Sequence, residues 1–240
     1  MSGATPQGSA SEQEAAAWVR DMFGRVAPRY DLLNHVLSFN IDKRWRARTV
    51  KRLQPVLQRP EARVLDLCCG TGDLMLALRA SSRASVLGSD FCHPMLTAAM
   101  QKAGPGSSLF EADALRLPAR DHSLDAVTVA FGFRNLTNYE AGLLELRRVL
   151  KPGGLAAILE FSQPPNPVFN ALYGFYSRNI LPRIGGMISG ASDAYTYLPE
   201  SVRKFPDADG LAAKMRQAGF RNVSFERMTF GVVALHLGEA

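Results

Sequence analysis

From Arg63 to Phe161 short apolar runs alternate with amphipathic segments, and this alternation leaves few folds open. "RVLDLCC" (63–69), "ASVLGSD" (84–90), "SLFEAD" (108–113), "LDAVTVAFGF" (124–133) and "LAAILEF" (155–161) read as buried strands. "DLMLALRA" (73–80), "HPMLTAAMQKA" (93–103) and "NYEAGLLELRRVL" (138–150) read as the helices between them, the last stopped by Lys151-Pro152-Gly153-Gly154. Strands joined by helical crossovers run parallel, so the expected core is an α/β, doubly wound sheet with helices on both faces. The rhythm breaks at Pro164, and residues 164–205 are rich in proline, glycine and aromatics, Tyr195 among them. A helix over 208–220 and strands over 222–231 and 232–238 follow, and a hairpin at Gly231 would pair these two strands antiparallel. That completes a mostly parallel sheet of seven strands. Upstream, 12–26 suits a helix carrying Trp18, Met22 and Phe23, and "DKRWRARTVKRL" (42–53) suits a second. The organisation expected is a disordered tail over 1–10 and one domain over 11–240, with a helical cap at 11–60 and a substrate-covering insertion at 164–205.

Sheets of this kind bind ligands beyond the carboxyl ends of their strands. There the chain reads Asp66-Leu67-Cys68-Cys69-Gly70-Thr71-Gly72-Asp73, a strand end, a glycine turn and a helix start. Twenty residues past Gly70, Asp90 closes the second strand, where a carboxylate can accept from both hydroxyls of a ribose. A dinucleotide loop wants a third glycine, but that position holds Met75, and Asp73 would repel a pyrophosphate. A ribose-bearing ligand with cationic groups and no phosphate fits better. S-adenosylmethionine is such a ligand, its positive charges favoured by Asp66 and Asp73. Asp113 and Ala114 end the third strand, where a carboxylate and a backbone N–H can meet an adenine edge. Phe91, directly after Asp90, and Ala130, at the end of the fourth strand, complete the expected cofactor contacts.

The cysteines, Cys68, Cys69 and Cys92, are odd in number, and the adjacent pair lacks the two-residue spacer of a redox or zinc site. They read as small side chains on the floor of the cofactor loop, and no metal is expected. No apolar run reaches the roughly 18–20 residues that span a bilayer, and no secretory signal precedes the domain, so a cytoplasmic location is expected. The net charge of +6 is uneven: eleven lysines and arginines face four carboxylates between Arg20 and Arg63. Such a flank suits transient contact with an anionic membrane surface, whereas no nucleic-acid motif accompanies it.

Five stretches, "DLCCGTGD", "VAFGFRNLTN", "RVLKPGG", "LPRIG" and "GVVALH", together with "FGRVAPRYDLLNHVLSFNIDKRWR" (23–46), resemble the quinone-biosynthesis C-methyltransferases. The resemblance runs from about residue 20 to residue 238 and includes motifs outside the generic core of class I S-adenosylmethionine-dependent methyltransferases. It implies C-methylation of a polyprenyl quinol, either demethylmenaquinol or the methoxy-benzoquinol precursor of ubiquinone, and is compatible with a homodimer. It also implies cofactor contacts at Thr71, Asp90, Asp113 and Ala114, beside Gly70 and Gly72 of the loop. Two positions depart from the family pattern: Cys69 stands where many members have glycine, and Leu237 where many have arginine. The paired cysteines look more like the menaquinone branch.

In such a reaction a phenolic hydroxyl loses its proton and the ring carbon beside it attacks the methyl. Arg134 and Asn135, just past the fourth strand, are the expected stabilisers of the phenolate, and Tyr30, Asp31 and His236 the candidate bases. The open alternatives are a methyltransferase for another small acceptor and a nucleotide-binding scaffold without catalysis.

Overall fold

The computed structural model describes residues 3–6, 8–180 and 192–240. Three helices come first: α1 (Glu12–Val26), α2 (Tyr30–Leu37) and α3 (Ile41–Leu57). Ser11 caps α1 by accepting the Glu14 N–H, with Glu12 and Glu14 in the first turn. The sequence reading joined only 12–26 and 42–53 into helices; α2 was not anticipated. α3 buries Trp45, Val50, Leu53 and Leu57 on one side and leaves Lys43, Arg44 and Lys51 exposed.

β1 (Arg63–Leu67), α4 (Asp73–Ala80), β2 (Ser85–Asp90), α5 (His93–Ala103), β3 (Leu109–Glu111), β4 (Leu124–Ala130), α6 (Tyr139–Val149) and β5 (Leu150–Phe161) follow in the expected alternation. α7 (Pro167–Phe175), a π-helical turn (Tyr176–Ile180) and α8 (Ser192–Lys204) fill the proline-broken region. Its middle, including "LPRIG", lies outside the described residues. α9 (Ala208–Gln217), β6 (Arg221–Met228) and β7 (Val233–Glu239) end the chain. The seven strands lie in the order β3-β2-β1-β4-β5-β7-β6. β1 runs parallel to β2 and β4, β2 to β3 and β4 to β5, and β7 runs antiparallel to both β5 and β6.

β1 and β4 are buried on both faces, which explains their continuous apolar runs. α3 and α4 pack on one face through Leu53, Leu57, Met75 and Leu78. α6 and α9 pack on the other through Leu143, Leu146, Leu211 and Met215. The crossovers leave β1 toward β2 on one side and the chain re-enters at β4 on the other, so the carboxyl ends of β1 and β4 open a crevice. α1 and α2 cover that crevice, with Val19, Met22, Val26 and Leu33 packed on Met95 of α5 and Tyr197 of α8. In the stretch read as a tail, the Ala4 N–H donates to the Leu136 carbonyl at 2.7 Å and the Ala4 side chain is buried. Among the described residues no helix is long and apolar enough to cross a membrane.

Candidate active site

The glycine loop leaves β1 through left-handed backbone at Cys68, Gly70 and Gly72, with φ of +54°, +55° and +88°. Small neighbours make room for the two cysteines. A Cβ on Gly132 would lie 2.4 Å from the Cys68 Cβ, and one on Gly88 would lie 3.2 Å from the Cys69 Sγ and 2.6 Å from the Met75 Sδ. Met75 thus fills the space under the loop that a third glycine would leave open. Burial pushes both thiols up, so they stay protonated and unreactive at neutral pH.

Asp90 organises the loop's far side. Its Oδ2 accepts the Gly70 N–H and its Oδ1 the Cys92 N–H, both at 2.9 Å. It borders a cavity of about 730 Å³, counted to its open mouth, lined also by Gly70, Phe91, Asp113, Ala114 and Ala130. Each Asp90 oxygen has accepted one backbone N–H and retains acceptor capacity on the cavity side. Asp66, Thr71, Gly72 and Asp73 do not line this cavity. Asp66 lies beneath the loop, 1% exposed; its Oδ1 accepts from Thr128 at 2.6 Å, while Oδ2 has no partner among the described residues. Burial, only partly offset by Thr128, pushes its carboxyl up to about 7.

A second, larger chamber of about 1210 Å³ adjoins the first. Trp45, Phe131, Phe161, Tyr173 and Tyr197 give it aromatic walls, and Phe23, Tyr30 and Phe131 border both spaces. Arg134 lies in a 3-10 turn just past β4 and lines this chamber. Its Nη1 donates to the Phe131 carbonyl and, at 2.8 Å, to Glu160 Oε1; its backbone N–H donates to Glu160 Oε2 at 3.1 Å. Its Nε is buried with no partner among the described residues. Asn135 faces the first cavity, and its Oδ1 accepts from the Tyr197 hydroxyl at 3.1 Å. Burial raises the Tyr30 phenol, which makes Tyr30 a donor at neutral pH.

Residues 9–240 match the model of the ubiE/COQ5 methyltransferase family. The demethylmenaquinone methyltransferase of Thermus thermophilus is 50% identical over 222 residues, covering 91% of this chain and 99% of that protein. The ubiquinone/menaquinone biosynthesis C-methyltransferase of Syntrophotalea carbinolica is 46% identical over 91% of this chain and 92% of its own. This chain belongs to the ubiE/COQ5 methyltransferase family. Among solved structures, an S-adenosylmethionine-dependent methyltransferase of Thermotoga maritima superposes with a TM-score of 0.66 at 19% identity, covering 91% of this chain and 98% of that one. Phosphoethanolamine N-methyltransferase 2 of Haemonchus contortus, solved with S-adenosyl-L-methionine, gives 0.57 at 18% identity over 77% of this chain and 38% of its own. These two share the fold.

For a ubiE/COQ5 methyltransferase the first cavity fits the cofactor. Asp90 offers acceptors where a ribose would lie. Asp31 and His236 line neither of the two spaces. Asp31 accepts from Thr71 Oγ1 and pairs with Lys102 Nζ at 2.6 Å. His236 is buried in β7 with Nε2 at 2.8 Å from the Ala208 carbonyl, and burial lowers its pKa. The sequence reading missed Glu160, Lys102 and Arg46. A carboxylate within the buried run "LAAILEF" was the available signal for Glu160. Lys102 gave none, because its partner Asp73 becomes visible only in space, whereas Asp42 and Arg46 stand four apart on α3, the spacing of a helical ion pair. His35, Asp42 and Asp73 cluster closely enough to suggest metal ligands, but Arg46 and Lys102 already neutralise those carboxylates.

Proposed function

We propose that this chain methylates a ring carbon of a polyprenylated quinol, demethylmenaquinol, with S-adenosylmethionine as donor. The observation that carries the reading is the contact of two cavities across Tyr30 and Phe131, with the buried guanidinium of Arg134 on the wall of the larger. The names of the relatives support the same acceptor class.

When bound, S-adenosylmethionine supplies an electrophilic methyl on sulfur and leaves as a neutral thioether. Asp90 holds the ribose hydroxyls, and Asp113 with the N–H of Ala114 holds the adenine edge. Phe91, Ala130 and Gly70 shape the rest of that space, while Asp66 lies buried beneath the loop and Asp73 is paired with Lys102 and Arg46. Arg134 stabilises the negative charge on the acceptor oxygen as its proton passes to solvent water, since a guanidinium stays charged in a buried site while Glu160 fixes its direction; the ring proton that the methyl displaces leaves to water in the same way. Tyr30 donates from the junction, and Asn135, held by Tyr197, keeps the turn in register. Two groups must then meet in one orientation, and a chamber with aromatic walls supplies that alignment.

The same reading accounts for the surface. α2 exposes Leu32 and Val36, the turn after it exposes Phe39, α7 exposes Val168, Leu172 and Phe175, and Phe230 packs against Phe169. Tyr176, whose hydroxyl donates to the Leu37 carbonyl, ties the two helices together at the chamber. With Lys43 and Arg44 exposed on the adjoining helix, this face suits the anionic inner surface of a membrane, where a polyprenyl quinol resides. The test is transfer of labelled methyl to demethylmenaquinol in anionic vesicles; no product with a folded, cofactor-binding protein would overturn the proposal.

A further inference from the structure

We infer that residues 3–6 form a strap that holds the Arg134 turn from outside and keeps water from its back, so that this segment positions Arg134 for the reaction. The inference rests on the role given to Arg134 above and deepens it.

The strap is fastened to two elements that carry the site. On one side the Ala4 N–H donates to the Leu136 carbonyl at 2.7 Å. On the other, Lys204 of α8 donates to the Thr5 carbonyl at 3.1 Å and to Thr5 Oγ1 at 3.3 Å. Leu136 directly follows the 3-10 turn that holds Arg134 and Asn135. α8 carries Tyr197, whose hydroxyl holds Asn135. The strap thus joins from outside the same two elements that meet inside through Tyr197 and Asn135. Downstream, Glu12 at the start of α1 accepts from Asn138 Nδ2 at 3.4 Å, so the end of this stretch is gripped a second time.

Gly3 shows how close the contact is. A Cβ there would overlap the Thr137 carbonyl carbon and the Leu136 carbonyl oxygen. Both are backbone atoms that no rotamer change can move, so only glycine lets the chain lie flat against this stretch. Ala4 and Pro6 are buried in place. A small space of about 220 Å³ remains under the strap, lined by Ala4, Thr5, Arg134 and Tyr139. Arg134 therefore borders the acceptor chamber on one side and this space on the other. Removing the strap removes the outer wall of that space. Water behind a guanidinium raises the local dielectric and weakens its hold on a developing anion. A loosened turn also lets the guanidinium drift from its aim.

The test displaces the strap in two ways: deletion of residues 2–6, and Gly3→Val, which forces the backbone off the turn. Each should lower kcat for methyl transfer to demethylmenaquinol about tenfold. In the Arg134→Ala background the deletion should change kcat by less than about twofold, because a strap that acts through Arg134 has nothing left to position. An equal tenfold loss in that background would overturn the inference, and so would unchanged kcat in both single variants. Faster turnover would overturn it too, since the strap would then be a brake on product release. If the wild type itself methylates no quinol, the quinol reading fails alone. Hydrogen exchange at the amides of Arg134, Asn135 and Leu136 then decides: faster exchange without the strap upholds its grip on the turn, and unchanged exchange overturns it.

Discussion

Arg134 carries the sharpest prediction at the scale of a single residue. An interaction made mainly in the transition state lowers kcat more than it changes binding. Arg134→Ala should therefore lose about 10²–10³ in kcat, the range for one anion-stabilising donor, with cofactor affinity unchanged in calorimetry. Near-normal single turnover would demote Arg134 to a packing role. Glu160 makes that interpretation testable a second way, since it touches neither cavity yet holds Arg134 through side chain and backbone. Glu160→Ala strands a buried cation, so it should cost about 3–5 kcal/mol in denaturant-measured stability. Asp90→Ala belongs to the other cavity: it should weaken S-adenosylmethionine binding by about 1.5–3 kcal/mol, the scale of a charged hydrogen bond. Unchanged affinity would remove Asp90 from the ribose site.

Single elements carry the closure of the site. α2 is held to the glycine loop by Asp31, which takes the Thr71 hydroxyl and the Lys102 ammonium, while Lys102 also reaches Asp73 at 2.5 Å. One lysine on α5 thus fastens the helical cap to the start of α4. Its carboxylate partners are partly exposed, so the pair contributes modestly, and salt weakens it. Lys102→Met should raise the KM for S-adenosylmethionine about two- to fivefold, the scale of a partly exposed ion pair, and leave kcat near normal. Hydrogen exchange should show faster opening of α2. If α2 protection is unchanged, the fastening lies elsewhere in the cap.

For the whole molecule, pH acts through buried groups on opposite sides of the sheet. Burial lowers the His236 pKa, so below an unfolded value of about 6.5 the unfolded chain binds a proton that the native state does not. Its contribution to stability is present at high pH and is lost as pH falls through and below that value. Asp66 runs the other way. Its native carboxyl, near 7, binds a proton that an unfolded one releases at about 4, so its contribution is lost as pH rises through that window. Comparing wild type with His236→Gln cancels the Asp66 contribution. The wild type should lose stability against the variant as pH drops from 6.5, at no more than about 1.4 kcal/mol per pH unit. A pH-independent difference would mean that His236 titrates normally.

The seven strands, their alternation with helices and the antiparallel hairpin about Gly231 were legible in the sequence. Burial on both faces of β1 and β4 writes itself as continuous apolar runs, and glycines mark the turns that need them. That Gly70, Asp90, Asp113 and Ala114 would lie around one cavity was legible for a related reason: a doubly wound sheet brings strand ends to one edge whatever the side chains do elsewhere. α2 escaped notice because its eight residues expose Leu32 and Val36 and so lack a clear polar face. The pairing of Asp31 was not legible because its partners, Thr71 and Lys102, are 40 and 71 positions away along the chain. Local patterning determined which segments are strands and where the loop lies. Only tertiary packing decided which charges are neutralised, which stay unpaired and which aromatic rings meet, because those contacts join residues that no periodicity relates.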